Sequence, residues 1–81
     1  MHKKYTVTIV FPDMRSYTKS FYSIYMAEEY VEAVKNNPQI VRVVVFEFSC
    51  HYEPPLKEVW DKRTTLSAWQ REGKKWICMF H

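Results

Sequence analysis

With 81 residues, 47% of them hydrophobic and 17% aromatic, the chain is too apolar for a disordered segment and long enough for one domain near the lower size limit of a single core. No apolar run approaches the roughly 20 residues of a membrane helix, which argues against a membrane partner. A net charge of +3 permits nucleic-acid contact without demanding it. Two cysteines are too few for a secreted scaffold stapled by several disulfides, so a reducing, cytoplasmic setting is expected.

Met1-His2-Lys3-Lys4 is basic, but alternating residues follow it where a secretory signal would need an apolar block. Beginning with Met and carrying no visible tag, the chain reads as a complete gene product. Residues 4–11 alternate, with Tyr5, Val7, Ile9 and Phe11 on one face and Thr6, Thr8 and Val10 on the other, the period of a strand. Pro12-Asp13-Met14-Arg15 reads as a tight turn. Residues 16–22 alternate again, which predicts a hairpin. From Ile24 the period lengthens: Ile24, Ala27, Val31 and Val34, widened by Tyr30, form one apolar helical stripe. Ser23 is placed to cap that helix, and Glu28, Glu29 and Glu32 toward its start with Lys35 at its end suit the macrodipole. Asn36-Asn37-Pro38 stops it. Residues 39–48 are the strongest strand signal, and their near-continuous apolar run predicts a central strand covered on both sides for part of its length.

The last third is less regular. Pro54-Pro55 favours an extended linker. Residues 56–63 fit a strand or a short helix lined by Leu56, Val59, Trp60 and Arg63, and residues 65–71 are equally ambiguous. Gly73, the single glycine, marks a turn before a closing strand from Lys75 to Phe80. The expected fold class is α+β in one domain, residues 1–81. A β-β-α-β core over 1–49 carries one helix on a small antiparallel or mixed sheet, and a Trp-containing C-terminal extension over 50–81 adds one or two strands.

Chemistry is poorly supplied. Cys50, His51, Cys78 and His81 make a nominal Cys₂His₂ set, but Cys50 and His51 are adjacent, and neighbouring side chains of an extended chain point to opposite faces, so no metal is expected. Cys50 beside His51 lacks the spatial triad logic of a nucleophile and its base. One glycine excludes the glycine-rich nucleotide loops, and no small-molecule substrate or cofactor is indicated. An enzyme is therefore not expected.

Binding is better supported. Six Tyr, five Phe and three Trp exceed what one small core hides easily, so some rings are expected at a contact surface. Trp60, Trp69, Trp76, Tyr52 and Arg63 have the composition of a binding hot spot for another protein or for a second copy in a homodimer. The alternative is nucleic acid, met by Lys3, Lys4, Arg15, Lys19, Lys74 and Lys75 interleaved with aromatics. A small non-enzymatic interaction module suits a phage or mobile-element accessory protein or inhibitor acting on a host protein or nucleoprotein, although no motif names that role.

Overall fold

The computed structural model describes the backbone of residues 2–53 and 57–80 and the side chains of residues 3–49 and 63–80. Strands β1 (His2–Val10) and β2 (Ser16–Phe21) form the expected hairpin. Helix α1 (Ile24–Lys35) follows, and then β3 (Arg42–Glu53), β4 (Lys57–Glu72) and β5 (Lys75–Phe80). They make one five-stranded sheet in the order β2-β1-β3-β4-β5, and every neighbouring pair is antiparallel.

The expected α+β class is corrected by this architecture. The chain is mostly antiparallel sheet, and its single helix of 12 residues is a partial cover on one face. The physical reason lies in residues 57–72. Their apolar spacing fits a helix as well as a strand, yet β3 offers them a long run of free backbone donors and acceptors. Pairing satisfies these groups from Lys57 opposite Glu53 to Gln70 opposite Arg42. The expected cover on both sides of the central strand is also corrected. Val43 and Val45 are buried beneath the helix, whereas Val44, Phe46 and Phe48 face the other way and are only half-buried.

The core joins Val7 and Ile9 of β1 and Val43 and Val45 of β3 to Ala27, Val31 and Val34 of α1 and to Ile40 in the connection. Alternation puts the four strand residues on one face, and three- and four-residue spacing puts the helical ones opposite. Ala27, fully buried, lets the helix approach closely. Tyr5, Phe11, Phe21, Tyr30, Leu66, Trp69 and Trp76 pack around this centre.

Two terminal features differ from expectation. Ser23 has the extended N-cap backbone, but its side chain makes no capping hydrogen bond. The first turn holds no acid, since Glu28 lies a full turn inside. Only Lys35, in the last turn, suits the dipole. The β1–β2 turn is a tight one, in which the Met14 amide donates to Phe11 O and the Phe11 amide to Arg15 O. It holds Met14 at φ 73°, a left-handed conformation that favours glycine.

The helix C-terminus is held by β4 and β5. The Arg71 guanidinium donates to the carbonyls of Ile40 (2.9 Å), Lys35 (3.1 Å) and Asn37 (3.0 Å) and stacks on Trp76, 4.5 Å from the ring centroid. Trp76 Nε1 donates to the same Lys35 carbonyl at 3.1 Å. Both donors to Lys35 thus occupy a carbonyl that a helix end otherwise leaves unpaired. Replacing Arg71 with alanine is expected to lower unfolding free energy by about 2–3 kcal/mol, the scale of hydrogen bonds to a charged group. Lysine should restore less than half, because one ammonium cannot reproduce the fork. Urea unfolding measures both, and a lysine variant as stable as the wild type would show that charge alone suffices.

Candidate interaction surfaces

Because α1 packs on β1, β2 and β3, it meets the helix-side face of β4 only at its C-terminal end, where Lys35 lies over Trp69 and its carbonyl accepts from Arg71. A cleft of about 600 Å³ lies along this step. Its floor is Tyr5, Val45, Leu66, Ser67 and Trp69, and its helical wall presents Ile24, Glu28, Val31, Glu32 and Lys35. Strand alternation explains the floor: Val43 opposes Trp69 and Val45 opposes Ser67, so all four share the helix side. A register shift after Val45 follows, and Leu66 packs against the core there.

The cleft is acidic at its rim. Glu28 and Glu32 are exposed on the helix, and Glu47 comes from β3. The Lys35 ammonium lies 3.4 Å from the Trp69 ring centroid and 3.9 Å from Glu32 Oε1, and the Lys35 side chain is only 14% exposed. Lys3 Nζ reaches Glu47 at 3.5 Å. Among the described residues no ion pair reaches Glu28. Three carboxylates therefore face two ammonium groups, one of which is engaged with an indole.

The opposite face of the sheet has different chemistry. Lys4 of β1, Phe48 of β3 and Arg63 of β4 form one cross-strand row, and Thr6, Phe46 and Thr65 form the next. The Arg63 guanidinium lies 4.7 Å from the Phe46 ring centroid, and Lys4 Nζ lies 5.4 Å from that of Phe48. Further along, Thr8 and Thr18 share a hydroxyl hydrogen bond and Arg42 donates to Gln70. No element of the described chain packs on this face.

The anticipated hot spot is thus divided. Trp69 lines the cleft, Trp76 clamps the helix end, and Arg63 sits on the other face over Phe46. The side chains of Tyr52 and Trp60 lie outside the described residues, although their backbones pair in the β3–β4 ribbon. The anticipated basic set is dispersed too. Lys3 bonds Glu47 on the helix side, Arg15 bonds Asp13 in the first turn, and Lys19 lies over Phe21 and Tyr30 on β2. Lys74 and Lys75 sit at the β4–β5 turn, where Lys75 pairs with Glu72 at the far end of the open face, and Lys4 lies on that face beside Phe48. Sequence reasoning missed Phe46 and Phe48 as surface residues. Their spacing of two within an apolar run was the available signal.

Comparison with family models, curated proteins and solved structures returned no match. Among the described residues, no helix is long and apolar enough to cross a membrane, and no three His, Cys, Asp or Glu side chains gather as metal ligands. Cys78 is a free, exposed thiol, while Cys50, His51 and His81 have side chains outside the described set. Excess EDTA is expected to leave the melting temperature within about 1 °C, since a structural metal contributes folding energy outright. A fall of several degrees, reversed by zinc, would restore those four residues as ligands.

Proposed function

We propose that the protein is a non-enzymatic interaction module whose helix-side cleft receives a segment of a partner protein rich in basic and apolar residues. The observation that carries this reading is the incomplete cover of the sheet. A twelve-residue helix spans about 18 Å and packs over β1–β3, leaving Leu66, Ser67 and Trp69 of β4 as a floor beside an acidic rim. An apolar floor supplies affinity through desolvation, and the carboxylates at its margin select the sign of the partner's charge.

The neighbouring edge supports the same reading. Strand β5 pairs only with Ala68–Glu72, so among the described residues the outer edge of β4 from Lys57 to Ser67 carries no strand. Such an edge is open to strand addition, and it adjoins the cleft floor at Ser67 and Leu66. A second copy of the chain is the less favoured occupant. A symmetric pairing of two such clefts would place Glu28 and Glu32 of each copy against those of the other.

Selection of twelve-residue peptides from a random library against the purified protein tests the proposal. Selected peptides are expected to be enriched in Lys or Arg together with Leu, Ile or Phe. Their affinity should fall at least tenfold for the double variant Glu28→Lys, Glu32→Lys. It should also fall for Ser67→Trp, which fills the cleft without touching the rim. Circular dichroism and thermal melting establish that each variant folds. Peptides without basic enrichment, or binding unchanged in both folded variants, would overturn the proposal.

A further inference from the structure

The sheet face opposite the helix is independent of the cleft, and its chemistry points to a different ligand. Phe46 and Phe48 lie two residues apart on β3, a spacing of about 6.7 Å along the strand, with both rings on the open face. Cations flank them. Lys4 and Arg63 stand in the Phe48 row on either side of the strand, and Arg42 lies six residues from Phe48, about 20 Å away. Between these ends lie the half-buried Val44, Thr8, Thr65 and Ala68 and the buried Thr6, all smaller than the half-buried rings of Phe46 and Phe48, over which Arg63 and Lys4 lie.

Among the described residues, carboxylates are concentrated on the helix side. Glu28, Glu32 and Glu47 line the helix-side cleft, and Asp13 is bound to Arg15 in the first turn. On the open face the one carboxylate among the described residues is Glu72, at the far end of β4 and opposite Lys75. Around the phenylalanines, no ion pair among the described residues reaches the guanidinium of Arg63 or of Arg42.

We propose that this face binds single-stranded nucleic acid, with bases stacked on Phe46 and Phe48 and phosphates held by Arg63, Lys4 and Arg42. Flat rings at strand spacing, bordered by cations, meet the two requirements of single-strand binding: a stacking platform and an electrostatic track for the backbone. A duplex has its bases already stacked and paired, so the rings gain nothing from it. A second copy of the chain is excluded by sign, because face-to-face pairing would set the cations of one copy against those of the other. Of the basic residues in the sequence reading the proposal keeps Lys4 alone, and adds Arg63, Arg42, Phe46 and Phe48. It stands whether or not the cleft binds a protein segment.

Fluorescence anisotropy with labelled fifteen-residue oligothymidylate, oligouridylate and a duplex of equal length tests it. Binding to a single strand, DNA or RNA, is expected to exceed binding to the duplex at least tenfold and to weaken steeply as salt rises, through counter-ion release. A preference between the two single strands identifies which sugar the face favours. Arg63→Glu should weaken binding at least fivefold, as should Phe48→Ala, provided each variant melts as a folded protein. Lys19→Glu, the same charge change on the helix side, should shift affinity less than twofold. Equal binding to duplex, no binding at low salt, or an equal loss with Lys19→Glu would overturn the proposal. So would self-association abolished by Arg63→Glu, which would make the face a protein interface.

Discussion

The position of the helix depends on how its C-terminal end is held. Its N-terminus has no side-chain cap and no acid in the first turn, so local sequence does little to fix it there. At the other end, the Lys35 carbonyl accepts from both Arg71 and Trp76, and the same guanidinium reaches Asn37 and Ile40 in the connection to β3. A short helix is marginal by itself and gains most of its stability from tertiary contact. Here that contact combines a small apolar seam, Ala27, Val31 and Val34, with a polar clamp from strands the seam does not reach. The clamp also joins β5, an edge strand, to the centre of the molecule. The Arg71 amide donates to Val41 O at 2.8 Å, and its side chain stacks on Trp76 across the strand pair.

Anchoring the helix at one end over β1–β3 produces the asymmetry on which both surfaces rest. A five-stranded sheet is wider than one helix, and helices pack about 8–10 Å from their neighbours, so one helix cannot cover all of it. The uncovered part of the helix side becomes the cleft, and the whole opposite side becomes the open face. Solvent then acts on each differently. In the cleft, the Lys35 stem and ammonium lie over Trp69, shielding an indole that water would otherwise meet. On the open face, Arg63 and Lys4 do the same for Phe46 and Phe48.

Much of the fold was legible from periodicity. The β1–β2 hairpin, the helix from Ile24 to Lys35 and the closing strand are patterns of two or of three-and-four that local sequence fixes. The overall balance was not legible, because Leu56, Val59, Trp60 and Arg63 would line one helical face while Val59 and Trp60 also suit an irregular strand, and only the pairing partner decides between them. Partner strands are non-local information: β4 is long because β3 is long, and neither length is visible in isolation. The left-handed Met14 was likewise hidden, since the turn was signalled by Pro12 and Asp13 while the strained position falls on the residue after them. The capping role assigned to Ser23 failed for a similar reason. The residue type permits the bond, and the extended backbone is present, but the side chain does not make it.

The candidate site was legible only as composition. A count of rings signals that some must be accessible, and it does not say which. Tryptophan is the natural choice because a ring with an N–H tolerates a boundary, yet the same N–H gives Trp76 a structural use, as a donor to a helix carbonyl. Trp69 is held in place by a lysine from the helix and keeps one side toward the cleft. The accessible rings instead include Tyr17, Tyr22, Tyr25 and Phe80, scattered over the β1–β2 hairpin, the helix start and β5. Phe46 and Phe48 are the pair that the strand period places side by side with cations around them. An apolar run reads as a buried strand when sheet layers are assumed on both sides. Once only one layer exists, alternation leaves half of that run only half-buried, and that half of β3 is the part with aromatic rings. A count of rings speaks of how much area one helix can cover and not of which residues it covers: Trp76 is held at the helix end, Trp69 lines the cleft, and the Trp60 side chain lies outside the described residues.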